Sequence, residues 1–331
     1  MSWSKFTKEY IKLFMNKFNI NESSPLLVSI QNEQILINKF IESYKFNIRV
    51  KKNKLDIIKK KYVKYADTNW VDQNVLLYYD TLTIIFDISW DNNHIYIKTK
   101  KNIIKIITRI KILIGIIEYL KLKNKDIKKI NIFIVLSKLE KIFPINNIMN
   151  VENTNTGYTD LNENIIFIWR SEEFEKVLFH ELIHYFNMDC KHQHISNIIN
   201  VSNNNTHSYL EAITDFWGIY YHLIYLSIIT NINIKLLLET EISFVKNQAM
   251  QLIKLYKIKK LSDIYNKEIK QNTPAFSYYI LKYLLFEYFI NNNFDELNDY
   301  NKLIKKSINN FKIDNYIKIK SSRMSLLQLK Y

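Results

Sequence analysis

Glycine and proline are the residues that punctuate loops, and this chain of 331 residues has three of each. With so few breakers it is constrained toward helices and strands joined by short connections. Hydrophobic residues make up 47% of it, enough for a substantial core shared by two or three sub-domains. The patterning divides into three regions. Residues 1–66 are helix-periodic and lysine-rich, residues 67–195 carry the strand signals, and residues 196–331 read as almost wholly helical.

In the middle region, residues 81–89 and 94–98 are rich in β-formers and meet at Asp91-Asn92-Asn93, a hairpin signal. A helix over about 102–121 and a strand over 130–136 follow. The Asn-rich stretch 145–163 reads as a loop with a turn at Asn155-Thr156-Gly157, and 165–169 as a short apolar strand. The most apolar run, 103–120, is broken by Lys105, Arg109 and Lys111, which predicts a buried helix with one wet face and no membrane span. Farther on, Thr273-Pro274 marks a helix start, with threonine as N-cap and proline at the first helical position. The aromatic helix after it runs to about Asn291.

Directly after the 165–169 strand comes Phe179-His180-Glu181-Leu182-Ile183-His184, an H-E-x-x-H motif inside a helix-periodic run. Residues four apart on a helix share a face, so His180 and His184 can converge on one metal ion. Glu181 then stands beside the open coordination position, where a carboxylate can take a proton from water. Ser171 predicts the N-cap of this helix, with Glu172, Glu173 and Glu175 at its positive end. Phe174, Val177, Leu178, Leu182 and Tyr185 form the stripe that buries one side, with the histidines beside it.

Two candidates exist for a third ligand. Glu211 lies in Tyr209-Leu210-Glu211-Ala212-Ile213-Thr214-Asp215, which resembles the second motif, E-x-x-x-D, of the thermolysin-like gluzincins among the zincin metallopeptidases. The likeness covers the two motifs and the stretch joining them. The gap from His184 to Glu211 is longer than in thermolysin, and Leu210 stands where the family has asparagine. The resemblance implies one Zn²⁺ per chain held by His180, His184 and Glu211. It also implies that Asp215 orients His180, and its removal is expected to weaken metal binding without unfolding the protein. Ser208-Tyr209-Leu210-Glu211 also fits a capping box, which would employ Glu211 in closing a helix start. Cys190, six residues after His184, is the other candidate ligand, with Asn187 suited to a left-handed turn between them and His192 and His194 close by.

The same resemblance implies an α+β, zincin-like fold: a small mixed sheet, an active-site helix, and a mostly helical C-terminal sub-domain with the third ligand. The implied activity is peptide hydrolysis with Glu181 as general base. Strand 165–169 would lie at the sheet edge and pair with an extended peptide or protein substrate, although its continuous apolarity equally fits a buried strand. His207, Tyr209, Tyr278 and Tyr279 are the candidate oxyanion donors. Two other readings stay open: a zincin-like fold used for binding or structure, and a basic nucleic-acid-binding protein with an incidental motif.

The charge is +15, but the lysines are scattered and no basic block is interleaved with aromatics, so nucleic acid is not the favoured partner. Abundant Ile, Asn and Lys match the codon bias of an A+T-rich genome, such as that of a large DNA virus. One cysteine excludes an internal disulfide framework. No secretory apolar core opens the chain, so the expected location is intracellular and cytoplasmic, in a host cell or a virion.

Overall fold

The β-branched runs of the middle region assemble into one mixed sheet. The structure, a computed structural model, describes residues 2–45, 47–53, 59, 71, 74–100, 104–124, 129–189, 201–202, 209–266, 269–293 and 300–330. Two helices, α1 (Lys5–Phe14) and α2 (Pro25–Ser43), come first. Strand β1 (Arg49–Asn53) and the short helix α3 (Asn74–Tyr79) follow. The hairpin is β2 (Ile84–Trp90) and β3 (Asn93–Thr99), turning through Asp91 at φ 47°. Helix α4 (Ile104–Lys123) crosses over to β4 (Asn131–Val135). After one helical turn, α5 (Val151–Thr154), come β5 (Gly157–Asp160) and β6 (Ile165–Ile168).

The strand order is β1-β2-β3-β4-β6-β5, with β3, β4 and β6 parallel and the outer pairings antiparallel. Alternation along the strands splits the apolar residues between two faces. Ile132, Ile134, Ile166 and Ile168 join the main core with the helices. Phe133, Val135, Ile165 and Phe167 point the other way, onto Val75, Tyr79 and Trp169. All four residues of β6 are buried. This is why it is an interior strand and not the edge expected of 165–169: a strand apolar on both faces needs cover on both. The edge is β5, half-buried throughout, within the stretch expected to be loop. At the other edge, β1 falls where helix was expected. Its Arg-Val-Lys-Lys-Asn sequence suits an exposed edge strand, on which charge deters further pairing.

Helix α6 (Phe174–Tyr185) carries the H-E-x-x-H motif. Beyond the short β7 (Val201–Ser202) come the long α7 (Tyr209–Thr230) and α8 (Ile234–Leu255), a 3₁₀ turn, and β8 (Ile269–Lys270). Residues 277–281 form a π-helical turn leading into α9 (Lys282–Phe289), and α10 is Tyr300–Asn310. The Thr273 hydroxyl does not cap this helix. It bonds to the Thr154 hydroxyl (2.8 Å) and Asn155 (3.2 Å), tying the helix start to the strand side.

Residues 317–330 depart most from the helical expectation. They run without helix from the exposed Ile317 into the interior, where 322–329 are buried, with Ser322, Ser325 and Leu326 fully so. A backbone outside helix or sheet must find other partners, and side chains provide them. Asn247 pairs with both backbone groups of Ile317, Gln251 with those of Ile319, and Gln248 Nε2 donates to the carbonyls of Ser321 and Arg323. Glu241 accepts from Leu326 N and Leu327 N. The main core therefore draws on all three regions read from the sequence, from Phe14 to Leu329. Among the described residues no helix is long and apolar enough to cross a membrane. In α4 the wet face is narrower than expected: Arg109 is buried and bonds to Glu175 Oε1 at 3.3 Å.

Candidate metal centre

The start of α6 lies later than Ser171. Glu173 occupies the N-cap position at φ 56°, a left-handed conformation, and its side chain does not cap. It is committed elsewhere, accepting from Met324 N (2.9 Å), Ser325 N (2.5 Å) and Lys141 Nζ (3.0 Å). Glu172 likewise takes Lys141 N (2.7 Å). Of the acidic cluster read at the helix start, Glu175 does lie in the first turn, bonded to Arg109 and Tyr225, while Glu172 and Glu173 are taken up by neighbouring backbone and Lys141. The apolar stripe is also wider than one side, since every residue of α6 except His184 is buried.

The C-terminus of α6 follows from Asn187. At φ 48° it adopts the left-handed turn the sequence predicts, while Met188 N bonds to Ile183 O and Asn187 N to His184 O, each at 3.0 Å. This closing pattern folds the chain back on the helix. It brings Asp189 Oδ2 within 2.6 Å of His184 Nδ1, a contact no sequence pattern announced. Thr214 Oγ1 steadies the same oxygen at 3.0 Å.

Opposite lies α7, whose residues 211, 215, 218 and 222 form one stripe at helical spacing. Gly218 lets the helices touch: a Cβ there would meet the backbone N and Cα of His180 at 3.1 Å. Glu211 Oε2 consequently lies 3.4 Å from His180 Nε2 and 3.5 Å from His184 Nε2, and the three ligand atoms are all within 4.8 Å of one another. Asp215 is fully buried, with Oδ1 3.0 Å from His180 Nδ1. It is also bonded to two buried lysines, Lys176 through Oδ1 and Lys282 through Oδ2 at 2.6 Å.

Does this donor set fit a metal ion? Among the described residues Glu211 Oε2 is buried and meets no donor in hydrogen-bonding geometry, a costly state for a carboxylate oxygen. Donor atoms around a tetrahedral ion with bonds of about 2.1 Å stand ~3.4 Å apart, which matches the two distances from Glu211 Oε2. A carboxylate only accepts, so Asp215 and Asp189 each require the proton on Nδ1 and leave Nε2 as the free lone pair, aimed at Glu211. Burial opposes charge on His180 and His184, yet the surrounding carboxylates outweigh it and raise both pKa values. The Glu211 carboxyl is held well below its ordinary range against its own burial, first by His184. The cluster thus calls for positive charge at its centre.

Glu181 sits between this cluster and the sheet edge. Its Oε2 accepts from Thr159 Oγ1 at 2.7 Å, and a Cβ at position 157 would strike Oε1 at 2.5 Å, so any larger residue there would displace the Glu181 side chain. Burial raises the Glu181 pKa, with the two histidines pulling the other way. Neither β5 residue was singled out from the sequence, and Gly157 was read only as part of a turn.

The oxyanion candidates fare differently. Tyr278 lines the cavity above the cluster, its ring 5.9 Å from that of His180, and burial followed by the Glu211 charge holds its phenol protonated. Tyr279 points away and donates to Ser322 O, a structural bond that removes it from the candidates. His207, Cys190, His192 and His194 lie outside the described residues, as do Ser208 and the side chain of Tyr209. The chain matches no protein-family model, no curated protein and no solved structure.

Proposed function

We propose that the protein is a zinc-dependent metallopeptidase of gluzincin type, with His180, His184 and Glu211 holding Zn²⁺ and Glu181 acting as general base. The observation that carries this reading is the buried Glu211 Oε2 equidistant, to 0.1 Å, from two imidazole Nε2 atoms. Two imidazoles and one carboxylate suit zinc and leave one position open, as catalytic sites require. Bound there, the ion would supply Lewis acidity, polarising a carbonyl and bringing the pKa of water toward neutrality.

The remaining steps belong to the chain's own residues. Thr159 fixes one oxygen of Glu181, and the other is free to take a proton from the attacking water. The resulting carboxyl returns that proton to the leaving nitrogen as the amide breaks. The Tyr278 hydroxyl donates to the oxyanion. An extended substrate would lie along β5. Trp169 N bonds to Thr156 O, so by antiparallel alternation Tyr158 and Asp160 also face β6, and Gly157 and Thr159 turn N–H and C=O to the open edge.

Metal analysis and peptide cleavage test the reading together. Purified protein is expected to carry one zinc per chain, lost in Glu211→Ala and kept in Cys190→Ser. Glu181→Gln is expected to keep zinc and lose hydrolysis. Zinc lost from the cysteine variant and kept in the glutamate variant, or full cleavage by Glu181→Gln, would overturn it.

A further inference from the structure

One end of the cavity beside the histidines is walled by buried cations. Lys141 and Lys176 are each 1% exposed, and both line it together with Thr156, Val177 and Met324. Residues 322–324 gather these groups at one place. Ser322 N donates to Lys141 O (3.1 Å), Ser322 Oγ to Asn153 O (2.5 Å), and Lys176 Nζ lies 3.9 Å from the Met324 sulfur. Lys176 and Val177 stand one helical turn before His180. Leu161, Asn187 and Asp189 line the same cavity past His184. The cavity is therefore polarised along α6, ammonium groups at one end and a carboxylate at the other.

The cationic end has spare hydrogen-bonding capacity. An ammonium carries three donors, but among the described residues Lys141 Nζ makes one bond, to Glu173 Oε2 at 3.0 Å. Lys176 Nζ has Asp215 and only the weakly accepting Met324 sulfur. Those carboxylates are shared, Glu173 with two backbone N–H groups and Asp215 with Lys282 and His180. Thr156, 2% exposed, has a hydroxyl with no hydrogen-bond partner among the described residues. Buried polar groups in a cavity wall without protein partners are the usual mark of a ligand contact.

We infer that this end is a subsite for a carboxylate of the substrate, taken up by the Lys141 and Lys176 ammonium groups and the Thr156 hydroxyl. The inference rests on the peptidase reading for the word substrate, though not for the anion site itself. Val177 and Met324 flank the approach and suit a short aliphatic stem. The carboxylate is either an acidic side chain next to the scissile bond or the free C-terminus of a short peptide. Burial lowers the Lys141 pKa and the nearby Lys176 and Arg170 charges add to that, against Glu173 and Glu172. A bound carboxylate restores the missing negative charge.

Equilibrium binding to zinc-loaded Glu181→Gln protein tests this without turnover. Three peptides suffice: acetyl-Leu-Gly-Glu amide, acetyl-Leu-Gly-Gln amide, and acetyl-Leu-Gly-Gln with a free terminal carboxylate. One of the two acids is expected to bind at least tenfold more tightly than the neutral amide, and which one does so identifies the source. Thr156→Val, nearly isosteric, should narrow the preference three- to fivefold. Lys141→Met combined with Glu173→Gln, which removes both charges of the pair, should abolish it, and zinc content should be unchanged in each. Equal binding of all three peptides, or a preference untouched in Thr156→Val, overturns the subsite. If the preference holds while the parent protein cleaves no peptide, the peptidase reading falls and the anion subsite stands.

Discussion

Asp189 and Asp215 do the same service for different histidines, but they are not equally replaceable. Asp189 touches His184 and Thr214 beside the cavity, whereas Asp215 also neutralises Lys176 and Lys282 in the interior. Loss of an orienting carboxylate typically weakens metal binding ~10–100-fold. Breaking a buried pair and leaving its partner charged costs about 3–5 kcal/mol in addition. Asp189→Asn is therefore expected to lower zinc affinity with little change in Tm, and Asp215→Asn to lower both. Competition with a chelator and thermal unfolding of the two variants measure this. A fully stable Asp215→Asn would show that the lysines are satisfied by other means. To the sequence expectation that removal of Asp215 weakens metal binding without unfolding the protein, those lysines add an expected cost in stability. They lie 39 and 67 residues away along the chain, beyond any local pattern.

At the scale of elements, what was legible depended on whether the deciding contact was local. The motif helix, the hairpin and the crossover helix each follow from periodicity within a single segment, and their bounds agree with expectation to within a few residues. The pairing order of β5 and β6 does not, because a strand's place in a sheet is set by its neighbours. Gly-Tyr-Thr-Asp in an Asn-rich stretch reads as loop until β6 provides the ladder. Likewise Glu211 and the histidines were visible as motifs, but the contact that unites them is the α6–α7 crossing at Gly218. Gly218→Ala would press a methyl against the His180 backbone at 3.1 Å and move the helices apart by a few tenths of an ångström. The expected cost is about 1–3 kcal/mol of stability, with zinc affinity reduced at least tenfold. A variant with parental zinc affinity would show that the crossing tolerates the shift.

For the molecule as a whole, segment 317–330, buried over 322–329, is the tie between helical and sheet-bearing halves, and Glu241 clamps it at Leu326 and Leu327. Burial pushes the Glu241 pKa up to about 7 from 4.5, against the pull of Ser325 and two backbone N–H groups. Between those values the folded protein holds a proton that the unfolded chain releases, so folding stability falls as pH rises from about 4.5 to 7 and levels off above. The displacement corresponds to roughly 3 kcal/mol. Glu241→Gln, which retains an acceptor and cannot ionise, should gain Tm relative to the parent as pH is raised from 5 to 8. Parallel Tm curves for the two proteins over that range would refute the assignment.

The threading of this segment also has a consequence in time. Lys282 takes Met324 O, Glu173 takes the backbone of Met324 and Ser325, and Met324 itself walls the cavity beside the histidines. A ribosome delivers these residues after every element they fasten. Until they emerge, Glu173 and Lys282 lack these partners, and the cationic end of the cavity lacks one wall. A nascent copy would therefore hold its histidines, Glu181 and Glu211 in sequence but not yet in register, and the cavity would be complete only once residues 322–329 have emerged and threaded into place.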